Sequence, residues 1–259
     1  VSKGVLIFAI NSTFDYVAAA KFAAKQAKKY LGLPVTLVTN SRIDDECFDS
    51  VVYIDDTSNT MRNYISSTGA TTSVQWFNES RIKAYDLSPY DQTLLIDADY
   101  FMFNSSLATI FDTNSEIACF SEINDITGSN SNLVRLSEIS IPMQWATVLY
   151  FTKCPLSKAV FDFMQQIKSE WRYYSLLYSF RNDNFRNDFA LSIALQALTG
   201  YSTLNFNVLP GRLHSIFSNT NVVSVNDSEV VYSWNNQISK ISNTNIHCLN
   251  KVGMEKFYA

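Results

Sequence analysis

The stretch TLLIDADYFMF, residues 93–103, sets two carboxylates, Asp97 and Asp99, one residue apart at the end of an apolar run. The run itself reads as a buried strand. Successive strand side chains point to opposite faces, so residues two apart return to the same one. If the strand continues through the acids, Asp97 and Asp99 lie side by side. Paired carboxylates at a strand end suit a hard divalent cation, and the aromatic run that follows would keep water away. The plainer reading is that the two acids only begin a turn, and Asp-x-Asp by itself is a weak signal.

Working outward, GVLIFAINS (4–12) is a second apolar strand running into a polar loop, and PVTLVTN (34–40) and VVYID (51–55) are two more. Between them DYVAAAKFAAKQAKKYLG (15–32) has an acidic start, a basic end and a closing Gly32, which favours a helix with its dipole well placed. Strand, helix, strand at these lengths predicts an α/β fold with a mostly parallel sheet flanked by helices. SRIKAYDLS (80–88) predicts a helix before Pro89, EIACFSE (116–122) and MQWATVLYF (143–151) predict strands, and INDITGSNSN (123–132) predicts a loop. Helices are expected over LSKAVFDFMQQIKSEW (156–171) and NDFALSIALQALTG (187–200), and a hairpin over 221–234 with Asn226 and Asp227 in its turn. The whole, 1–259, reads as one domain. Its first half, to about residue 120, is α/β, and the half from 121 onward is mixed.

Composition narrows the function classes. The chain has 259 residues, 47% apolar and 17% charged, with a net charge of -4, so it is globular and offers no basic run for a nucleic-acid footprint. Seven glycines form neither GxGxxG nor GxxxxGK[ST], so a nucleotide must be held without a glycine-rich phosphate loop. Cys47, Cys119, Cys154 and Cys248 are scattered with no CxxC, as expected for reduced thiols in a cytoplasmic protein. No apolar stretch has membrane-spanning length.

The two histidines differ. His214, in the Pro/Gly-marked LPGRLHSIF (209–217), reads as a surface or turn histidine. His247, in TNIHCLNKVGMEK (244–256), follows an apolar step and precedes Lys251 by four residues. A neutral imidazole can complete a carboxylate cation site, and an ammonium can neutralise a diphosphate.

At this point the residues resemble a family. LLIDADYFMF is similar to the strand and Asp-x-Asp motif of GT-A glycosyltransferases, and IHCLNK (246–251) resembles the late His-x3-Lys of family 8-type members. VLIFAINSTFDYVAAA (5–20) resembles their first nucleotide-binding strand and helix, and ESRIKAYDLSPYDQTLLIDAD (79–99) their approach to the acids. The resemblance implies a GT-A fold, with a nucleoside diphosphate sugar donor bound by the half up to about residue 120 and the acceptor by the half from 121 to 259. It implies Mn2+ or Mg2+ held by Asp97, Asp99 and His247, with Lys251 on the diphosphate. Ala9, Asn11, Phe14 and Tyr16 would line the base and ribose pocket, and Arg81 would reach the donor. Asp97 would serve both metal and donor.

The chain also departs from the family. Where relatives carry Asp-Gln-Asp at a late helix, this chain reads FRNDFALSIAL (185–195), with Asp188 matching the first acid and Phe189 and Ala190 following it. QWATVLYF replaces an Asn-x-Gly strand. Asp188 can cap the helix, act as base in an inverting transfer, or position the sugar in a retaining one; capping is compatible with either chemical role. Trp76, Trp145 and Trp171 are candidates for stacking and equally for core anchors. The reaction would be hexosyl or pentosyl transfer to a hydroxyl of a glycan, a protein or a hydroxymethylated DNA base, in a bacterial or bacteriophage setting. The acceptor surface would come from 121–140 and WRYYSLLYSFRNDNFR (171–186). The alternative is a catalytically silent nucleotide-sugar or glycan-binding module. A nucleotidyltransferase would normally show the glycine-rich loop that is missing.

Overall fold

The computed structural model describes residues 1–11, 14–55, 61–65, 71–75, 78–128, 135–137, 139–180, 184–200, 207–217, 220–226, 228–250, 253–254 and 256–257. The chain opens with β1 (Lys3–Ala9), α1 (Tyr16–Leu31), β2 (Val35–Thr39) and β3 (Ser50–Tyr53). Asp15 caps α1 by accepting the N–H groups of Val17 and Ala18, and Gly32 ends it at φ 65 with its N–H on the Lys28 carbonyl. The left-handed conformation there is one that glycine adopts without strain. Ala19, Ala20, Ala23, Ala24 and Ala27 are fully buried, and small side chains on that face let the helix lie close to the sheet.

An antiparallel pair, β4 (Met61–Ile65) and β5 (Thr71–Gln75), precedes a 3-10 segment, Asn78–Lys83, and the one-turn α2 (Ala84–Leu87). The helix expected over 80–88 is therefore 3-10 over residues 80–83 and α over 84–87. Arg81 turns into the core, and Pro89 forces Ser88 to extended backbone (ψ 129), which closes the segment.

Next come β6 (Gln92–Asp97), β7 (Tyr100–Phe101), β8 (Ile117–Phe120), β9 (Ile123–Asp125) and β10 (Trp145–Thr152). Three helices follow: α3 (Pro155–Ser169), α4 (Trp171–Leu177) and α5 (Asn187–Leu198). The chain then forms β11 (Asn207–Val208), β12 (Leu213–Ile216), β13 (Asn221–Val225), β14 (Glu229–Trp234), β15 (Gln237–Ser242) and β16 (Ile246–Cys248).

Among the described residues the main sheet has seven strands in the order β11-β8-β10-β6-β1-β2-β3. Its pairs are parallel except those of β10, which runs antiparallel to both β6 and β8. The protein is thus a mixed α/β fold built on a large, mostly parallel sheet flanked by helices, as its alternating strand and helix pattern predicts. Gly4 permits one close approach: a Cβ there would stand 2.3 Å from the Tyr90 ring, whose hydroxyl lies 2.7 Å from Thr36 Oγ1.

A second sheet of four strands, β7-β16-β12-β9, and a third, β13-β14-β15, stand apart from the first. Two expectations are corrected here. The 123–132 segment is not wholly loop, because Ile123–Asp125 pairs in parallel with β12. The hairpin over 221–234 forms, but β15 extends it to three strands. Asp227 of its turn lies outside the described residues. No described helix is long and apolar enough to cross a membrane.

Candidate metal centre

Strand β6 ends at Asp97, and Ala98 and Asp99 form a turn before β7. The two acids therefore meet through a turn, not through a strand's two-residue period. The last strand, β16, lies between β7 and β12 with His247 opposite Tyr100. Its Cys248 N–H donates to the Asp99 carbonyl at 2.8 Å, which fixes the register of the strand against the turn. His247 Nε2 is then 3.5 Å from Asp99 Oδ1 and 3.9 Å from Asp97 Oδ2. One ligand atom from each of Asp97, Asp99 and His247 lies within 4.8 Å of the others.

Two carboxylates and an imidazole are donors that a divalent cation of hard or borderline character takes. The electrostatics fit such a group. Burial raises the Asp97 pKa, the Arg81 charge opposes that shift, and the neighbouring Asp99 carboxylate raises it further. A bound dication would remove the repulsion between the acids.

Arg81 is nearly sealed from water (3% exposed) and is committed to the site's frame. Its Nη1 donates to Asp97 Oδ1 at 2.7 Å and its Nη2 to the Thr147 carbonyl at 3.2 Å. The β1–α1 loop stands at the same sheet edge, because Phe8 pairs with Asp97 across β1 and β6. Ala9 is fully buried at the end of β1. Asn11 organises the loop: its Oδ1 accepts the Val17 N–H, its Nδ2 donates to Asp15, and its backbone exchanges bonds with the Asn40 amide. The Phe14 and Tyr16 rings meet edge to face at 4.8 Å. Lys251 and Trp76 lie outside the described residues.

Asp188 is not the N-cap of α5. That position is Arg186, whose side chain makes no capping bond, and Asp188 sits in the first turn. Its Oδ1 accepts the Ala146 N–H at 2.9 Å and its Oδ2 accepts Arg186 Nη2 at 2.8 Å. Because β10 is antiparallel, its first residues lie beside the carboxyl end of β6, and Asp188 is close enough that its charge opposes ionisation of Asp97. It stays outside the three-ligand group. Trp145 is buried in β10, and Trp171 packs with Phe180, Phe185 and Phe189.

His214 is one residue from Ser215, the cross-strand partner of His247, so it points to the opposite face. Its Nδ1 lies 3.0 Å from the Asn124 amide nitrogen, and burial, with Arg212 nearby, lowers its pKa. The row Asp125, Ser215, His247 and Tyr100 crosses the second sheet on one face. Neither Asp125 nor Ser215 carries a local motif that would have marked it. Arg186 was missed too; its only signal is an Arg two residues ahead of a helix-start Asp. All four cysteines are free, and Cys154 alone is not buried.

No protein-family model and no curated protein matches the chain. Several solved structures are similar to it. The apo-form glycosyltransferase GlyE of Streptococcus pneumoniae TIGR4 is 14% identical with a TM-score of 0.47, over 81% of this chain and 45% of that one. The galactosyltransferase LgtC, in complex with donor and acceptor sugar analogs, is 14% identical with a TM-score of 0.47, over 74% and 70% of the two chains. Mouse xyloside xylosyltransferase 1 in its apo form is 12% identical with a TM-score of 0.46, over 81% and 85%. The chain thus spans less than half the length of GlyE. These are distant similarities, and the functional reading rests on the residues of the site.

Proposed function

We propose that the chain is a metal-dependent glycosyltransferase of GT-A, family 8-like type, moving a sugar from a nucleoside diphosphate sugar to an acceptor hydroxyl. The observation that carries this reading is the Asp97, Asp99 and His247 group. It sits at the carboxyl end of a parallel strand, beside the loop that leads into α1. Ligands of open α/β sheets bind at such strand ends.

Bound by these three residues, Mn2+ or Mg2+ would supply charge neutralisation for a departing diphosphate. Arg81 holds Asp97 in place and offsets its charge. The β1–α1 loop, with Ala9, Asn11, Phe14 and Tyr16, would frame the base and ribose, and Lys251 is assigned to the diphosphate by the His-x3-Lys resemblance alone. Asp188 has both oxygens engaged by N–H donors, which suits a fixed anion that orients the donor sugar through its remaining lone pairs. The acceptor, a glycan, protein or modified base bearing a hydroxyl, would approach along 171–186.

The test is calorimetry with nucleoside diphosphates, with Mn2+ and with chelator, followed by slow hydrolysis of a nucleotide-sugar panel. Cation-dependent binding with sugar release supports the reading. Binding without any release points to a silent binding module, and equal affinity in chelator overturns the metal assignment.

A further inference from the structure

Asp188 is held from two sides, and one of the holders is unexpected. A cation at a helix N-terminus faces the positive end of the dipole and is disfavoured there. Arg186 nevertheless occupies that position on α5 and makes no capping bond. Instead its Nη2 donates to Asp188 Oδ2 at 2.8 Å, while its guanidinium lies 5.1 Å from the centre of the Phe189 ring. Phe189 is itself stacked on Phe180 at 4.4 Å with an interplanar angle of 17°. The guanidinium is therefore fixed between an aromatic face and a carboxylate, a geometry that favours Arg over Lys. The other Asp188 oxygen is fixed by the Ala146 N–H, from the strand that also receives Arg81.

We propose that Arg186 is a positioning residue for sugar transfer, aiming the Asp188 carboxylate and offsetting its charge beside the acidic group. The inference rests on Asp188 serving the donor sugar as proposed above. Arg186 has no part in the three-ligand group, so it should govern turnover and not cation-dependent nucleotide binding.

The experiment compares wild type, Arg186→Ala, Arg186→Gln, Arg186→Lys, Asp188→Asn and the Asp188→Asn/Arg186→Ala double variant. Arg186→Gln retains most of the stem that packs on Phe189, so it reports on charge if the Ala variant folds poorly. Melting, Mn2+-dependent nucleoside diphosphate affinity, kcat and KM are measured for each. The expected result is a folded Arg186→Gln with unchanged nucleotide affinity and a kcat lower by about 10- to 100-fold, the scale of a misplaced catalytic geometry. Arg186→Lys should recover part of that loss, and the double variant should be no slower than Asp188→Asn alone. A folded Arg186→Gln with wild-type kcat overturns the inference, as does a loss that adds in full to that of Asp188→Asn. A wild type that binds but never turns over overturns this inference together with the transferase reading, so the two failures are told apart.

Discussion

Arg81 Nη1 lies 2.7 Å from Asp97 Oδ1, and this contact ties a sealed guanidinium to the acid that ends β6. Breaking a buried pair from one side leaves the other charge without compensation. Arg81→Met is therefore expected to cost about 3 kcal/mol of stability, near the lower end for such pairs because Asp97 is 21% exposed. In an Asp97→Asn background the same change should cost much less. Denaturant melts of the four proteins measure the coupling, and equal costs in both backgrounds would show that the pair contributes nothing.

Cation affinity should depend on pH in a defined direction. Burial and Asp99 raise the Asp97 pKa above the usual carboxylate value, with Arg81 opposing. A raised carboxylate pKa contributes stability at acid pH that is lost as pH rises through the folded value. A cation must displace that proton, so affinity should climb, with proton release, as pH rises through the raised Asp97 value, then level off. Calorimetry of Mn2+ binding in buffers of different ionisation enthalpy measures both quantities. Asp99→Ala should abolish most of the binding at every pH, and a flat profile in the wild type would contradict the assigned ligands.

Asp188→Asn separates chemistry from scaffolding. The amide retains an oxygen that can accept the Ala146 N–H but loses the charge paired with Arg186. Turnover should fall by about 10²–10⁴ if the carboxylate serves the reaction. The melting point should move little. Normal turnover in a folded variant would remove Asp188 from the mechanism.

Gly4→Ala tests a close packing contact far from the site. The new Cβ would meet the buried Tyr90 ring at 2.3 Å, so ring or strand must move. The expected loss is about 1–3 kcal/mol. It should shrink in a Tyr90→Leu background, where the ring is absent. Thermal melts of the single and double variants settle the point.

The parts of this molecule that follow from neighbouring residues were legible in the sequence. Asp15, the alanine face and Gly32 specify α1 within one stretch, and the acids after the 93–96 run mark the site without any partner. What was not legible depends on residues far apart in the chain. β9 is a strand only because β12 reaches it, and nothing within INDITGSNSN signals that pairing. Nothing within TNIHCLNKVGMEK signals how deeply His247 sits. It is 8% exposed, because β16 enters the middle of a sheet and not its edge. The Ala146 N–H could not be assigned to Asp188 until α5 was seen against β10, whereas Arg186, only two residues from Asp188, needed just the backbone geometry at the start of α5.

The position of β16 also has a consequence for how the protein matures. The second sheet cannot close until the last of its strands arrives, because β7 and β12 meet only through it. A chain emerging from the ribosome can complete β1, β2, β3 and β6 while His247 is still unmade, and contacts between residues distant in sequence form late. The three-ligand group is thus assembled only once β16 has docked between β7 and β12. Chains clipped before residue 246 would present two acids without their imidazole, so a cation-binding assay would report whether β16 has been made and docked.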